Sequence, residues 1–196
     1  LATVWQTILP SGLTKNRRTT PDKITLNAPS NRIKKVFTKD QQAALQTIET
    51  MLSGTILLHG ITGSGKTLVY IEAAKQALKE ELSSIILVPE IALTSQLVSE
   101  FSKHFPKIIL THSKQTEAQR HAAWKEIINS SDPVIVIGPR SALFAPVQQL
   151  GLIVIDECHE PSFKQEQSPR YSALRAASIL ARQHNAKLIL GSATPA

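Results

Sequence analysis

The chain has 196 residues, 42% of them hydrophobic and 19% charged, with a formal net charge of +7 and a pI near 9.7. That is enough apolar material for one well-packed domain plus an appended segment. No run approaches the roughly 18 apolar residues that span a bilayer, there is no signal pattern at the N-terminus, and the single Cys158 excludes an internal disulfide.

A soluble protein of the reducing cytoplasm, without membrane contact, is therefore expected. The leading Leu1 suggests a fragment. Its charge is unevenly spread. Lys15, Arg17, Arg18, Lys23, Arg32, Lys34 and Lys35 stand against Asp22 alone across residues 14–36, which carries +6 of the net +7 and leaves the remainder near neutral. This stretch is rich in Pro, Asn and Thr and lacks apolar periodicity, so it reads as a basic linker, either solvated or touching phosphates.

The compact domain is expected over residues 37–196. Thr38 followed three residues later by Gln41 matches a capping box, which predicts a helix over 40–51. Short apolar runs then follow at 55–59, 84–88, 107–110, 134–137, 152–155 and 187–190. They are apolar at nearly every position, as central strands covered on both faces of a parallel sheet should be. Amphipathic stretches at 67–81, 92–105, 117–128 and 171–184 suit crossover helices. The expected fold is a three-layer α/β domain with a mostly parallel central sheet and its functional groups at the carboxyl ends of the strands.

Gly60-Ile61-Thr62-Gly63-Ser64-Gly65-Lys66-Thr67 fits G-x-x-x-x-G-K-[ST], with an apolar strand before it and a helix after it. Glycines let the backbone wrap phosphates, while successive N–H groups and the helix N-terminus supply partial positive charge. Lys66 would reach the β- and γ-phosphates of ATP, and the Thr67 hydroxyl would ligate Mg²⁺. The alternative is a tight Gly-rich turn that binds nothing.

Residues 151–155 end an apolar strand in Asp156 and Glu157. Carboxylates beside an apolar core need compensation. Mg²⁺ on the nucleotide would provide it for Asp156, and Glu157 would orient or deprotonate the attacking water. On its own such a pair is more often a solvated strand end; the upstream phosphate loop favours catalysis.

Asp156-Glu157-Cys158-His159 resembles the DExH box of superfamily 2 helicases, and Gly191-Ser192-Ala193-Thr194 resembles the S-A-T motif that follows it. Three further segments narrow the resemblance to the primosomal replication-restart helicases: Val88-Pro89-Glu90-Ile91-Ala92-Leu93-Thr94, Arg140-Ser141-Ala142-Leu143-Phe144, and Phe163-Lys164-Gln165 with Pro169-Arg170-Tyr171. The resemblance covers about residues 37–196. Residues 1–13 resemble the tail of that family's N-terminal DNA-binding domain.

The resemblance implies a first RecA-like motor lobe in which Gln41 meets adenine and single-stranded DNA runs along Pro89, Glu90, Thr94, Arg140 and Ser141. It implies that the loop at 161–171 senses DNA through Phe163, Lys164, Arg170 and Tyr171, and that Ser192 and Thr194 contribute to DNA contact or coupling. The aromatics would stack on bases and the cations would meet phosphates; ordinary packing is the alternative for Tyr171, and a surface ion pair for Arg140. The implied partners are single-stranded and forked DNA, a second motor lobe with its arginine finger and zinc-binding cysteines, and other primosome proteins. No zinc is expected in this chain.

Cys158 stands where the family has an acid and Pro139 where it has Thr, so neither should carry the chemistry. His59, His112 and His159 do not form a ligand spacing; His159 reads as packing or as a relay between motor lobes. A RecG-like or restriction-type superfamily 2 motor would share most of these motifs. A P-loop kinase would explain only residues 60–67, and a non-catalytic DNA-binding module only the basic linker.

Overall fold

The structure is a computed structural model that describes residues 36–90 and 96–194. The expected upstream tail, all of the linker but Val36, and Thr94 lie outside the described residues. Helix α1 (Lys39–Thr50) opens on the anticipated capping box: Gln41 N–H donates to Thr38 Oγ1 at 3.2 Å, and Thr38 N–H to Gln41 Oε1 at 3.0 Å. Strand β1 (Gly54–His59) leads through the glycine loop into α2 (Lys66–Lys79). There follow β2 (Ser83–Leu87), α3 (Gln96–Ser102), β3 (Ile109–Leu110), α4 (Glu117–Ile128), β4 (Ile135–Gly138) and a 3₁₀ turn at Arg140–Phe144. The chain continues through β5 (Leu150–Ile155), a second 3₁₀ turn at Pro161–Phe163, a short hairpin of β6 (Lys164–Gln165) and β7 (Tyr171–Ser172), α5 (Ala173–His184) and β8 (Lys187–Ser192).

Six strands form one parallel sheet in the order β1-β8-β5-β2-β4-β3. Alternate residues of a strand point to opposite faces, and β2 shows the consequence. Ile85 and Leu87 enter a core with α4 and α5, while Ile86 and the following Val88 enter a second core with α1, α2 and α3. Both faces are covered, which gives the expected three layers. Each fully buried Ile or Leu contributes about 1.5 to 3 kcal/mol through removal from water.

Four details depart from the sequence expectations. β1 is an edge strand with an alternating exposed face, including Leu57 at 52% exposure, because only β8 pairs with it. The third strand shrinks to two residues. The fourth predicted helix begins at Ala173 rather than residue 171, because Tyr171 and Ser172 pair with Gln165 and Lys164 in the hairpin, and Ser172 then caps the helix. That hairpin had no periodic signal at two residues per strand. Among the described residues no helix is long and apolar enough to cross a membrane.

The strand order sorts the functional segments. The ends of the neighbouring strands β1, β8 and β5 carry the glycine loop, Ser192 and the acid pair. The ends of β2, β4 and β3 carry Pro89, Arg140 and Thr111. The segment at 157–172 leaves the first group and, through Ser162 and Lys164, meets Arg140 of the second.

Candidate functional site

The phosphate loop takes its shape from glycine. Gly63 and Gly65 have φ of 82° and 83°, the left-handed region where a side chain is strained. Gly65 also lies under Gln41: its missing Cβ leaves room for the Gln41 amide, which donates to Ser64 O at 2.9 Å. One glutamine thus caps α1 and ties it to the loop. Lys66, the first residue of α2, is only 9% exposed. Its ammonium donates to Gly60 O at 2.7 Å and Ile61 O at 3.5 Å and lies 3.6 Å from Glu157 Oε1.

The acid pair sits where β5 leaves the sheet. Asp156 N–H extends the ladder to Leu87 O at 2.9 Å, and Glu157 then turns the chain with a φ of 47°. That turn sends the two carboxylates to different partners. Asp156 Oδ1 accepts from the buried Tyr70 hydroxyl at 3.0 Å. Burial holds the Asp156 carboxyl above the usual carboxylate range, and the neighbouring charge of Glu157 adds to this, while the Tyr70 bond and Lys66 pull the other way. Burial and the same carboxylate likewise push the Tyr70 hydroxyl far up, so it is a donor at any working pH. Burial pushes the Cys158 thiol up as well, which keeps it protonated and fits its lack of a chemical role.

Around Glu157 the motifs close into a circuit. His159 Nδ1 lies 3.6 Å from Glu157 Oε2 and 2.9 Å from Ser192 Oγ. Ser192 Oγ also accepts from Thr194 N–H at 3.1 Å, and Ser192 O accepts from Gly60 N–H at 3.1 Å. Gly60 O in turn holds Lys66, which faces Glu157. Ser192 is fully buried, so its contacts here are to protein rather than to a strand, and His159 serves within this lobe.

Several residues predicted to meet DNA are occupied differently. Arg140 makes neither of the contacts weighed for it: its guanidinium donates to Ser162 O at 2.7 Å and Lys164 O at 3.2 Å, stapling one turn to the next. Phe163 corrects the expectation of base stacking. At 1% exposure it belongs to the core beside Ala142, Leu143 and Ala173, because the Pro161–Phe163 turn folds it inward. Tyr171 is half-buried and meets Phe144 edge-on, with ring centroids 5.3 Å apart, and burial pushes its hydroxyl up against the opposing effect of Arg140. Arg170 donates to Glu166 O at 2.9 Å. Pro89 is buried, while Glu90, Ser141, Lys164, Arg170 and Thr194 are exposed and available to a ligand.

Sequence reasoning missed Tyr70. The available signal was spacing: Tyr70 lies four residues after Lys66, hence on the same face of α2. Gly191 completes it, since any Cβ there would collide with the Tyr70 hydroxyl.

The closest geometric parallels concern the fold alone. The crystal structure of the UvsW helicase from Bacteriophage T4 aligns with a TM-score of 0.55 at 20% identity, over 86% of this chain and 56% of that one. In sequence, Replication restart protein PriA of Bacillus subtilis (strain 168) is 41% identical over 164 residues, covering 81% of this chain, and PriA of Chlamydia pneumoniae is 44% identical over 162, covering 80%. The chain spans 20% and 22% of the length of these relatives. A broader match, to the DEAD/DEAH box helicases, extends over residues 38–196 and so takes in every strand end that contributes to the circuit around Glu157. On that match the chain belongs to the DEAD/DEAH box helicase family.

Proposed function

We propose that this chain is the ATP-binding lobe of a DNA-stimulated helicase acting in replication restart. The observation that carries the reading is the circuit from Gly60 through Ser192, His159 and Glu157 to Lys66, because it joins a phosphate cradle, a candidate base and the S-A-T segment in one set of contacts. The relatives named for replication restart support the biological setting.

The residues fit ATP·Mg²⁺. Glycines at 63 and 65 keep the loop backbone open to phosphate approach, and the Lys66 ammonium, now held by two carbonyls, has the charge and reach to hold phosphate oxygens instead. Gln41, which bridges α1 and the loop, is assigned to the adenine end, and Thr67 and Asp156 to the metal. The raised affinity of Asp156 for a proton marks a carboxylate short of positive charge, as a metal ligand is before its metal arrives. When bound, Mg²⁺ would neutralise the β- and γ-phosphate oxygens. Glu157 then accepts a proton from, or orients, the water that attacks the γ-phosphorus, and Lys66 stabilises the charge that develops on the phosphate oxygens.

Single-stranded or forked DNA is assigned to the ends of β2, β4 and β3, with Glu90, Thr94, Ser141, Lys164 and Arg170 as contacts. Arg140 connects that region to the segment descending from Glu157, which gives a route for coupling. A second motor lobe supplying an arginine finger would complete the cleft, and other primosome proteins are partners of the same reading.

Lys66→Ala tests the nucleotide assignment. The parent should gain thermal stability from ATP·Mg²⁺, about 2.7 kcal/mol at a hundredfold excess over Kd, and the variant should lose that gain while remaining folded. A variant stabilised as much as the parent removes the assignment.

A further inference from the structure

The structure holds a second recess, separate from the phosphate loop. A cavity of about 610 Å³ lies between α4, the Arg140–Phe144 turn and the β6–β7 hairpin, and no residue of the glycine loop or the acid pair lines it. Its volume falls within the range of small-molecule sites. Trp124 from α4, Phe144 from the turn and Tyr171 from the hairpin bring aromatic rings from three elements to one space. The lining includes Arg120, Arg140 and Arg170, against the single carboxylate of Glu90. Thr111 also lines it. That residue is 8% exposed, and its hydroxyl has no hydrogen-bond partner among the described residues. A buried, unpaired hydroxyl is disfavoured unless something else satisfies it.

We propose that this cavity receives one base extruded from single-stranded DNA, with the aromatic walls stacking on it, Thr111 meeting its polar edge, and Arg120 and Arg170 holding the flanking phosphates. The inference rests on the proposal that DNA follows the ends of β2 and β4. Its basis is the composition of the lining: aromatic faces beside cations are the pairing that single-stranded nucleic acid uses, and extruded bases are read by stacking together with polar contacts to their edge. The mouth lies between Glu90 and Ser141, on the two segments assigned to the strand. The floor is preformed. Thr111 N–H donates to Ile137 O at 2.9 Å, and Gln115 ties the loop by accepting from His112 N–H at 3.3 Å and donating to Leu110 O at 3.0 Å.

The test uses the full chain and an oligothymidylate in which a single abasic residue is moved along the strand. Trp5→Phe leaves Trp124 as the only tryptophan, so its fluorescence reports the cavity. The expected result is saturable Trp124 quenching, with affinity falling roughly 10- to 100-fold for one abasic position and little elsewhere. Thr111→Val should reduce that positional penalty severalfold while the melting temperature holds or rises, since it removes a hydroxyl without a partner. Arg120→Ala should weaken binding at all positions and leave stabilisation by ATP·Mg²⁺ unchanged. Binding that ignores the abasic position overturns the base pocket and leaves the DNA reading standing. No binding of the strand overturns both. Quenching by a deoxynucleoside monophosphate as strong as that by the strand assigns the cavity to a free nucleotide and overturns the proposal as well.

Discussion

The Tyr70 hydroxyl donates to Asp156 Oδ1 at 3.0 Å through a space kept open by the missing side chain of Gly191. Three elements, α2, β5 and β8, are thereby fixed around one carboxylate oxygen. Tyr70→Phe should keep the ring packed and remove the bond that orients Asp156. Its stability cost should be about 1 to 3 kcal/mol, as for a bond to a charged group. The more specific effect should be a severalfold higher Mg²⁺ concentration for half-maximal stabilisation by ATP. A loss of melting temperature with an unchanged Mg²⁺ requirement would reduce Tyr70 to a packing residue.

Asp156 itself should be a destabilising residue in the absence of nucleotide. Its folded-state pKa is raised, chiefly by burial, so folding favours the protonated form. The contribution is fully present below the ordinary carboxylate range and is lost as pH rises through the raised value. At neutral pH the charge is desolvated and partly paired. Asp156→Asn, which can still accept from Tyr70, should therefore raise the nucleotide-free melting temperature at pH 7, and the difference should shrink as pH falls through the raised pKa. The same variant should gain little from adding Mg²⁺ to ATP. Melting curves from pH 4 to 8 check both, and a variant less stable than the parent at pH 7 contradicts the burial argument.

The sheet was legible in the sequence because its strands are short apolar runs that no amphipathic helix could mimic, and the phosphate loop because three glycines at fixed spacing have few other uses. β1 misled the reading for a physical reason. Its composition matches a covered strand, but coverage depends on neighbours that residues 54–59 do not encode, and in the structure only β8 pairs with it. Phe163 misled it in another way. An aromatic between polar residues looks exposed, yet the turn at Pro161 rotates it into the core beside Ala173 and Ala177. Contacts such as Tyr70 to Asp156 join residues 86 positions apart, and local pattern carries no information at that range.

Ser192 should behave as a joint rather than as a catalytic group. Its hydroxyl meets His159 at 2.9 Å and accepts from Thr194 N–H at 3.1 Å in a fully buried position. Ser192→Ala should cost about 1 kcal/mol of stability. His159→Ala should cost less than an independent loss when added to it, with a coupling energy of about 0.5 kcal/mol or more, because both remove the same contact. Nucleotide affinity should change little in either variant. Strictly additive losses in a double-mutant cycle would mean that the two side chains do not support one another.

The coupling between DNA and ATP turnover should run through Arg140 rather than through the ring of Phe163. Phe163 is packed in the core, so Phe163→Ala should lower stability by about 3 to 5 kcal/mol, as large truncations in cores do, and any lost DNA stimulation would be confounded by unfolding. Arg140 offers a cleaner test. Its guanidinium spans Ser162 O and Lys164 O, while its own turn lies on the segment assigned to DNA. A force on that turn is passed to the chain a few residues after Glu157. Lysine keeps the charge but lacks the planar fork that reaches two carbonyls at once. Arg140→Lys should therefore cost no more than about 1.5 kcal/mol of stability, the usual net value of a hydrogen bond, and leave basal ATP hydrolysis intact. The maximal stimulation by saturating single-stranded DNA should fall severalfold. Measuring ATPase rate against DNA concentration in a protein that carries both motor lobes, together with the melting temperature, separates the possibilities. A variant that needs more DNA yet reaches the parental maximum would make Arg140 a simple DNA contact and leave the route from strand to Glu157 to be sought elsewhere.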